Sequence, residues 1–239
     1  MKHLDAITYY DAYSQRYDQI RQNAYHQLIS EITRDFLFKF ISPKNRVLDL
    51  GCGTGINLEW LKKTGAKVIG FDLSQEMLKQ ACGKGNTVVR GTAPRLPFEP
   101  QSFDVVYSFK VLPHVEEIDT AFEEIARVLK PGGVAVLESY NPHSFRGVIK
   151  QWLKPPLKVA PNLTEKRVFT RFDSPGTMNH RLGKNFRVIA SRGVITLIPF
   201  SKMYEIPGFR PALRWLEWRL CDSVFKNWGG FFITAAQRI

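Results

Sequence analysis

Asp49, Gly51, Gly53 and Gly55, in the run Val47-Leu48-Asp49-Leu50-Gly51-Cys52-Gly53-Thr54-Gly55, are the residues whose types and spacing most clearly carry chemistry. An apolar strand run ends in an acid, turns on glycines and passes into helix-compatible residues. That order places a nucleotide-like ligand at the carboxyl end of a parallel strand. Glycine has no side chain to keep the backbone away from such a ligand. Asp49 restricts which ligand it is. A dinucleotide puts its anionic pyrophosphate against the helix N-terminus, and a carboxylate two residues before the first glycine would repel it. The same carboxylate suits a ligand with a cationic amino group. Ile56 and Asn57 also stand where a dinucleotide turn wants its third small residue. Asp72 ends a second apolar run, 17 residues after Gly55. An acid there can accept both ribose hydroxyls, with Leu73 beside it to flank a base; capping the next helix is the other role open to it.

These residues need a scaffold, and residues 46–139 supply one. Short β runs at Arg46–Leu50, Lys67–Phe71, Thr87–Arg90, Phe103–Ser108 and Val134–Ser139 alternate with helical patterns near Asn57–Lys63, Gln75–Ala81 and Glu117–Leu129. That alternation predicts an α/β fold with a doubly wound, mostly parallel, Rossmann-like sheet. Ser74 is the expected N-cap of the second helix, and Pro131-Gly132-Gly133 the expected stop of the third. Residues 5–41 read as an N-terminal helical cap. After Asn141-Pro142 the pattern loosens, and 141–172 reads as an insertion over the sheet. Helical residues at Asp173–Leu182, a β-branched run at Phe186–Ile198, a helix from Pro211 to Phe225 within a 206–226 segment, and a last strand at Gly230–Ala236 complete a single domain over 1–239.

With 239 residues, 44% hydrophobic and 23% charged, the chain has the composition of an ordinary globular domain. No apolar run approaches the roughly 20 residues of a membrane span. The N-terminus lacks a signal-peptide core, which makes the cytoplasm the expected location. Cys52, Cys82 and Cys221 share no metal-type spacing, so no metal site is expected. The net charge of +12 is uneven: residues 141–239 carry 17 Lys/Arg against 5 Asp/Glu and so hold the whole excess. This asymmetry points either to an anionic partner of the C-terminal part or to a solvated basic surface.

Val47 to Leu137 resembles the class I S-adenosylmethionine-dependent methyltransferases, in particular the small-molecule group that includes the quinone-biosynthesis enzymes. VLDLGCGTG is similar to that family's first motif, VIGFDLS at 68–74 to its second, GTAPRLPF at 91–98 to its third and FDVVYSFKVLPHV at 103–115 to its fourth. ARVLKPGGVAVLE at 126–138 matches the helix and strand that follow. The resemblance implies a seven-stranded sheet with an antiparallel last strand, and S-adenosyl-L-methionine as cofactor. Its implied contacts are Asp49, Gly51, Cys52, Gly53, Gly55, Asp72, Leu73, Thr92, Ala93, Phe109 and Tyr17. Thr92 stands where the family commonly has an acid for the adenine amino group, so adenine is expected to be held by shape and by the Ala93 backbone N–H. Phe109 would line the methionine moiety. Tyr10, Tyr13 and Tyr17 share a helix face, and in similar enzymes such a helix closes over the cofactor.

Methyl transfer asks the protein mainly for positioning, with a base only if the acceptor loses a proton. His114, after the fourth strand, is the first candidate base and His143, beside Tyr140, the second; ordering a loop is the other role open to each. The acceptor is expected to be a small molecule, anionic or lipid-linked, methylated on oxygen or carbon. The alternatives are RNA or protein as acceptor through the basic surface, or a module that binds the cofactor without catalysis. On a helical wheel Leu213, Leu216, Leu220 and Val224 form an inward stripe, with Trp215, Trp218 and Phe225 opposite. That far side is either covered by the insertion or meets an anionic membrane surface.

Overall fold

The computed structural model describes residues 6–145, 147, 158–160, 163–164, 168–198, 200–206 and 208–239. Strand β1 (Arg46–Leu50) buries four of its five residues, as a strand covered by helices on both faces must. It pairs in parallel with β2 (Lys67–Asp72) on one side and β4 (Phe103–Ser108) on the other. β3 (Val88–Arg90) extends the sheet beyond β2, and β5 (Leu129–Tyr140) lies beyond β4. β8 (Phe186–Val194) and β9 (Phe231–Arg238) complete the order β3-β2-β1-β4-β5-β9-β8, with β9 antiparallel to both neighbours. A separate two-stranded hairpin is formed by β6 (Lys158–Ala160) and β7 (Leu163–Thr164). The doubly wound sheet of seven strands expected from the sequence is present. Its direction of winding reverses between β1 and β4, which opens a crevice at their carboxyl ends.

The N-terminal segment is two helices, α1 (Ala6–Arg21) and α2 (Ala24–Phe38), separated by Asn23, whose side chain accepts from the His26 N–H at 2.9 Å. Ile32, Phe36, Leu28 and Leu37 of α2 bury against Val47, Val105, Tyr107, Val136 and Ile233. On the opposite face, α5 (Ile118–Val128) sets Phe122 and Ile125 against Leu48, Val106 and Leu137. Alternation in β1 assigns Val47 to one layer and Leu48 to the other. α3 (Ile56–Lys62) starts on Gly55, which is left-handed at φ 81. α4 (Gln75–Gly83) starts on Ser74, which accepts from the Met77 N–H as expected. Arg192 of β8 is only 2% exposed; it donates to Asp35, to Asp222 and to the Ile32 carbonyl, tying α2 to the sheet edge.

Three expectations are corrected. β5 begins at Leu129, five residues early, because Phe103 pairs with Leu129 and Val105 with Val134, and Pro131-Gly132-Gly133 forms an outward excursion in the strand. The helix expected over Pro211–Phe225 is α8 (Arg210–Leu220), followed by a separate 3-10 turn at Val224–Trp228. α6 (Pro175–Leu182) and the short α7 (Ser201–Tyr204) precede it. With α8 ended at Leu220, Val224 leaves the stripe and is 85% exposed, while Trp218 packs inward beside Leu213. The centre of the buried face is Glu217, whose carboxylate accepts from the N–H groups of Thr196, Leu197 and Ile198 at 2.8–2.9 Å. A fully buried carboxylate is tolerable only with such partners. Much of the insertion expected at 141–172 lies outside the described residues.

Candidate active site

A cavity open to solvent occupies the crevice at the carboxyl ends of β1, β2 and β4. Its wall includes Gly51, Gly53, Asp72, Leu73, Ala93, Phe109, Tyr17 and His114, eight of the residues singled out in the sequence. Gly51 stands at φ 90, and its N–H donates to the Phe71 carbonyl at 2.6 Å. A Cβ there would lie 1.9 Å from Val111 Cγ2, so only glycine lets the turn and the 109–111 loop approach so closely.

Asp72 ends β2 in the cavity wall. One oxygen accepts from the Gly53 N–H at 2.8 Å and the other from the Ser74 N–H at 2.9 Å. Burial raises its pKa, opposed by these backbone donors. Asp49 is 1% exposed and does not itself line the cavity. Burial pushes its pKa up to about 7, with the nearby Tyr107 hydroxyl pulling it down and the Asp72 charge adding to the rise. The Tyr107–Asp49 approach falls short of hydrogen-bond geometry, because neither Asp49 Oδ2 nor the Tyr107 hydroxyl has a partner. An orphaned buried acceptor beside the glycine turn suits a ligand that brings a donor.

Besides Asp49, four of the expected site residues lie off the cavity wall. Gly55 caps α3, and a Cβ on it would meet Asn86 Nδ2 at 2.8 Å and Ala81 Cβ at 3.1 Å, so its smallness serves helix packing. Cys52 turns its thiol into the cluster of Leu58 and Leu78. Thr92 is exposed and bridges to Arg95 through the backbone, which leaves Ala93 to face the cavity. His143 is exposed and absent from the cavity wall, because Asn141 Oδ1 accepts from its backbone N–H and turns the chain there.

His114 lies in the 3-10 turn Leu112–His114 that follows β4. Its Nδ1 is 2.9 Å from the Phe169 carbonyl, which can only accept. Nδ1 therefore carries the proton and Nε2 is the basic nitrogen. Tyr10 and Tyr140 meet the imidazole edge to face, with centroids 6.0 and 5.8 Å away. Tyr10, of the tyrosine face expected to close over the cofactor, also lines the cavity, and so do Lys110, Val111 and Met77, which no motif marked as contacts.

Helix α1 roofs the cavity with Tyr10 and Tyr17, and two acids clasp it. Asp11 accepts from the Ser74 hydroxyl and from the Glu76 N–H at the start of α4. Asp18 accepts from the Thr54 hydroxyl in the glycine turn and from Lys84 Nζ at 2.8 Å. No local pattern marks Asp11 or Asp18, since their partners are 36 or more residues away. Among the described residues no group of three or more His, Cys, Asp or Glu could hold a metal, and no helix is long and apolar enough to cross a membrane.

The methyltransferase domain family matches residues 48–137. An uncharacterized protein of Methanocaldococcus jannaschii is 35% identical over 160 residues, which are 66% of this chain and 61% of that protein. A demethylmenaquinone methyltransferase of Mycolicibacterium paratuberculosis is 33% identical over 158 residues, 62% of this chain and 66% of the relative. The chain thus spans less than two thirds of the length of these curated relatives. Among solved structures, a SAM-dependent methyltransferase from Thermotoga maritima superposes with a TM-score of 0.69 at 21% identity, over 96% of this chain and 100% of that one. At that identity the likeness speaks for the fold.

Proposed function

We propose, from the match of residues 48–137 to the methyltransferase domain family, that this chain is an S-adenosylmethionine-dependent enzyme that methylates a small-molecule acceptor. Asp72 carries the reading. A carboxylate at the end of the second strand, fixed by two backbone donors and facing the cavity, suits a ribose diol. The residues present fit S-adenosylmethionine: Asp72 for the ribose, Leu73 and Ala93 for adenine, and the Gly51–Gly53 turn, Phe109 and Tyr17 for the methionine part. Asp49, buried and orphaned, favours the cationic amino group through its field or through water.

When bound, this cofactor supplies a methyl group already activated by its sulfonium. The protein's part is to align acceptor, methyl and sulfur and to exclude water. A proton lost by a hydroxyl or activated carbon of the acceptor passes to His114 Nε2. The aromatic rings around His114 favour a flat or amphiphilic acceptor, and the basic excess of residues 141–239 favours one that is anionic or lipid-linked. Oxygen and carbon are the methylated atoms this wall suits.

Calorimetric titration with S-adenosylmethionine, S-adenosylhomocysteine and NADH tests the cofactor. Binding of the first two without the third is the expected result; NADH alone binding refutes the reading. Methyl transfer to a panel of phenols and quinols, lost in His114→Gln with cofactor affinity kept, tests the base.

A further inference from the structure

The stretch from Ile206 to Trp228 leaves an unusual amount of apolar surface in water. Phe209 is 63% exposed, Trp215 58%, Val224 85% and Trp228 57%, with Ile206 and Phe225 also exposed. Phe225 and Trp228 stack on each other at 5.3 Å. Large side chains exposed singly are ordinary, but a run of them on one short segment marks a surface with a partner.

The charges on the segment are one-sided. Arg210, Arg214, Arg219 and Lys226 are interleaved with the aromatics, and Arg219 lies 5.2 Å over the Trp215 ring. Its two acids are neutralised internally: Glu217 is buried on three backbone donors and Asp222 pairs with Arg192. Arg214 is shared with Glu31 of α2. Apart from half-exposed Asp222, which Arg192 pairs, what the segment presents outward is apolar and cationic.

The segment is also fixed to the catalytic end of the sheet. Asn141, the residue after β5, donates through Nδ2 to the carbonyls of Asn227 at 2.7 Å and Gly229 at 3.1 Å. Tyr140, at the end of the same strand, meets His114 of the cavity wall at 5.8 Å and Phe231 at 5.3 Å. Aromatic contacts thus run without a break from the cavity wall to the root of the exposed segment.

We infer that residues 206–228 form a docking face for an anionic lipid bilayer, seating the cavity beside the membrane surface. Tryptophan and arginine suit the headgroup boundary, where the ring is buried and the polar end stays wet. Cations near an anionic leaflet add attraction that salt weakens. RNA would use the cations and stack on the tryptophans, but it offers nothing to Ile206 and Val224, whereas acyl chains reward them. The inference does not depend on which acceptor is methylated.

Flotation of the full chain with vesicles tests it, comparing phosphatidylcholine alone with phosphatidylcholine plus phosphatidylserine. The expected result is flotation with the anionic vesicles, weakened by salt, and little with the neutral ones. The double variant W215S/W228S should lower partitioning by roughly tenfold or more, with its melting temperature and S-adenosylmethionine affinity unchanged. R219Q/K226Q, which keeps the aromatics, should lose the preference for anionic vesicles. Three results would overturn the inference: no flotation while single-stranded RNA binds, equal flotation with both vesicle types, or a solution dimer that dissociates in W215S/W228S with no vesicle binding. Cofactor titration of the same samples keeps failure of docking separate from failure of the methyltransferase reading.

Discussion

Gly51→Ala is the substitution whose cost can best be worked from the structure. It has two separable parts. Holding an L-residue at a φ of 90 costs roughly 1–2 kcal/mol. The added methyl would also stand 1.9 Å from Val111 Cγ2 and 3.0 Å from Cγ1, so the valine must be pushed aside. Overpacking of that kind costs roughly 1–3 kcal/mol, for a total loss of about 2–5 kcal/mol. Val111→Ala removes both methyls and leaves only a 2.9 Å approach to Cβ. Because Val111 is half-buried, that change alone should cost less than about 1.5 kcal/mol. The double variant should then recover most of the packing part and none of the backbone part. The resulting double-mutant cycle should show a favourable coupling of about 1–3 kcal/mol. Urea unfolding of the four proteins, with slopes held equal, measures it. Titration with S-adenosylmethionine should show that Gly51→Ala loses affinity as well, since both residues line the cavity. A Gly51→Ala protein within about 0.5 kcal/mol of the parent, or a coupling of zero, would refute the argument.

Asp72→Ala should weaken S-adenosylmethionine binding by roughly 1–3 kcal/mol, read by calorimetry; unchanged affinity removes the ribose assignment. Asp49 binds its proton more tightly folded than unfolded, because its pKa rises from an ordinary value of about 3.9 to about 7. Its contribution to stability therefore declines as pH climbs through that window, and Asp49→Asn should gain on the parent over the same range. A cationic ligand should lower that pKa again, so titrations just below pH 7 in buffers of different ionisation enthalpy should report proton release that Asp49→Asn abolishes. Around Arg192 the asymmetry is testable by denaturation. D35N/D222N strands a buried cation and should cost about 3–5 kcal/mol. R192M should cost about 1–3 kcal/mol, because Asp35 and Asp222 are half exposed and can be rehydrated. Glu217→Ala leaves three N–H groups without their acceptor and should destabilise by about 2–4 kcal/mol.

The sheet was legible because its central strands are short, continuously apolar runs closed by turn residues, and β1 and β4 fall where those runs lie. Family position identified the cavity residues well where the backbone itself faces the ligand, as at Gly51, Gly53 and Ala93. The side chains of Cys52 and Thr92 and the Cα of Gly55 stand off the cavity wall, where packing or a turn uses them. Pro131-Gly132-Gly133 reads locally as a terminator, and only pairing with β4 turns it into an interruption of a longer strand. Glu217 looks like a solvated residue on a helix, because the three N–H groups it serves belong to a loop 19–21 residues earlier. Asp11 and Asp18 are hidden for the same reason: their partners are close in space and far along the chain.

The position of β9 has a bearing on synthesis. The edge of β5 that faces away from β4, over Val134–Tyr140, and the strand β8 pair within the sheet only with residues 231–238. A ribosome-bound chain therefore holds two open β edges until residues 231–238 emerge. Removal of residues 231–238 should leave both edges exposed and promote edge-to-edge aggregation.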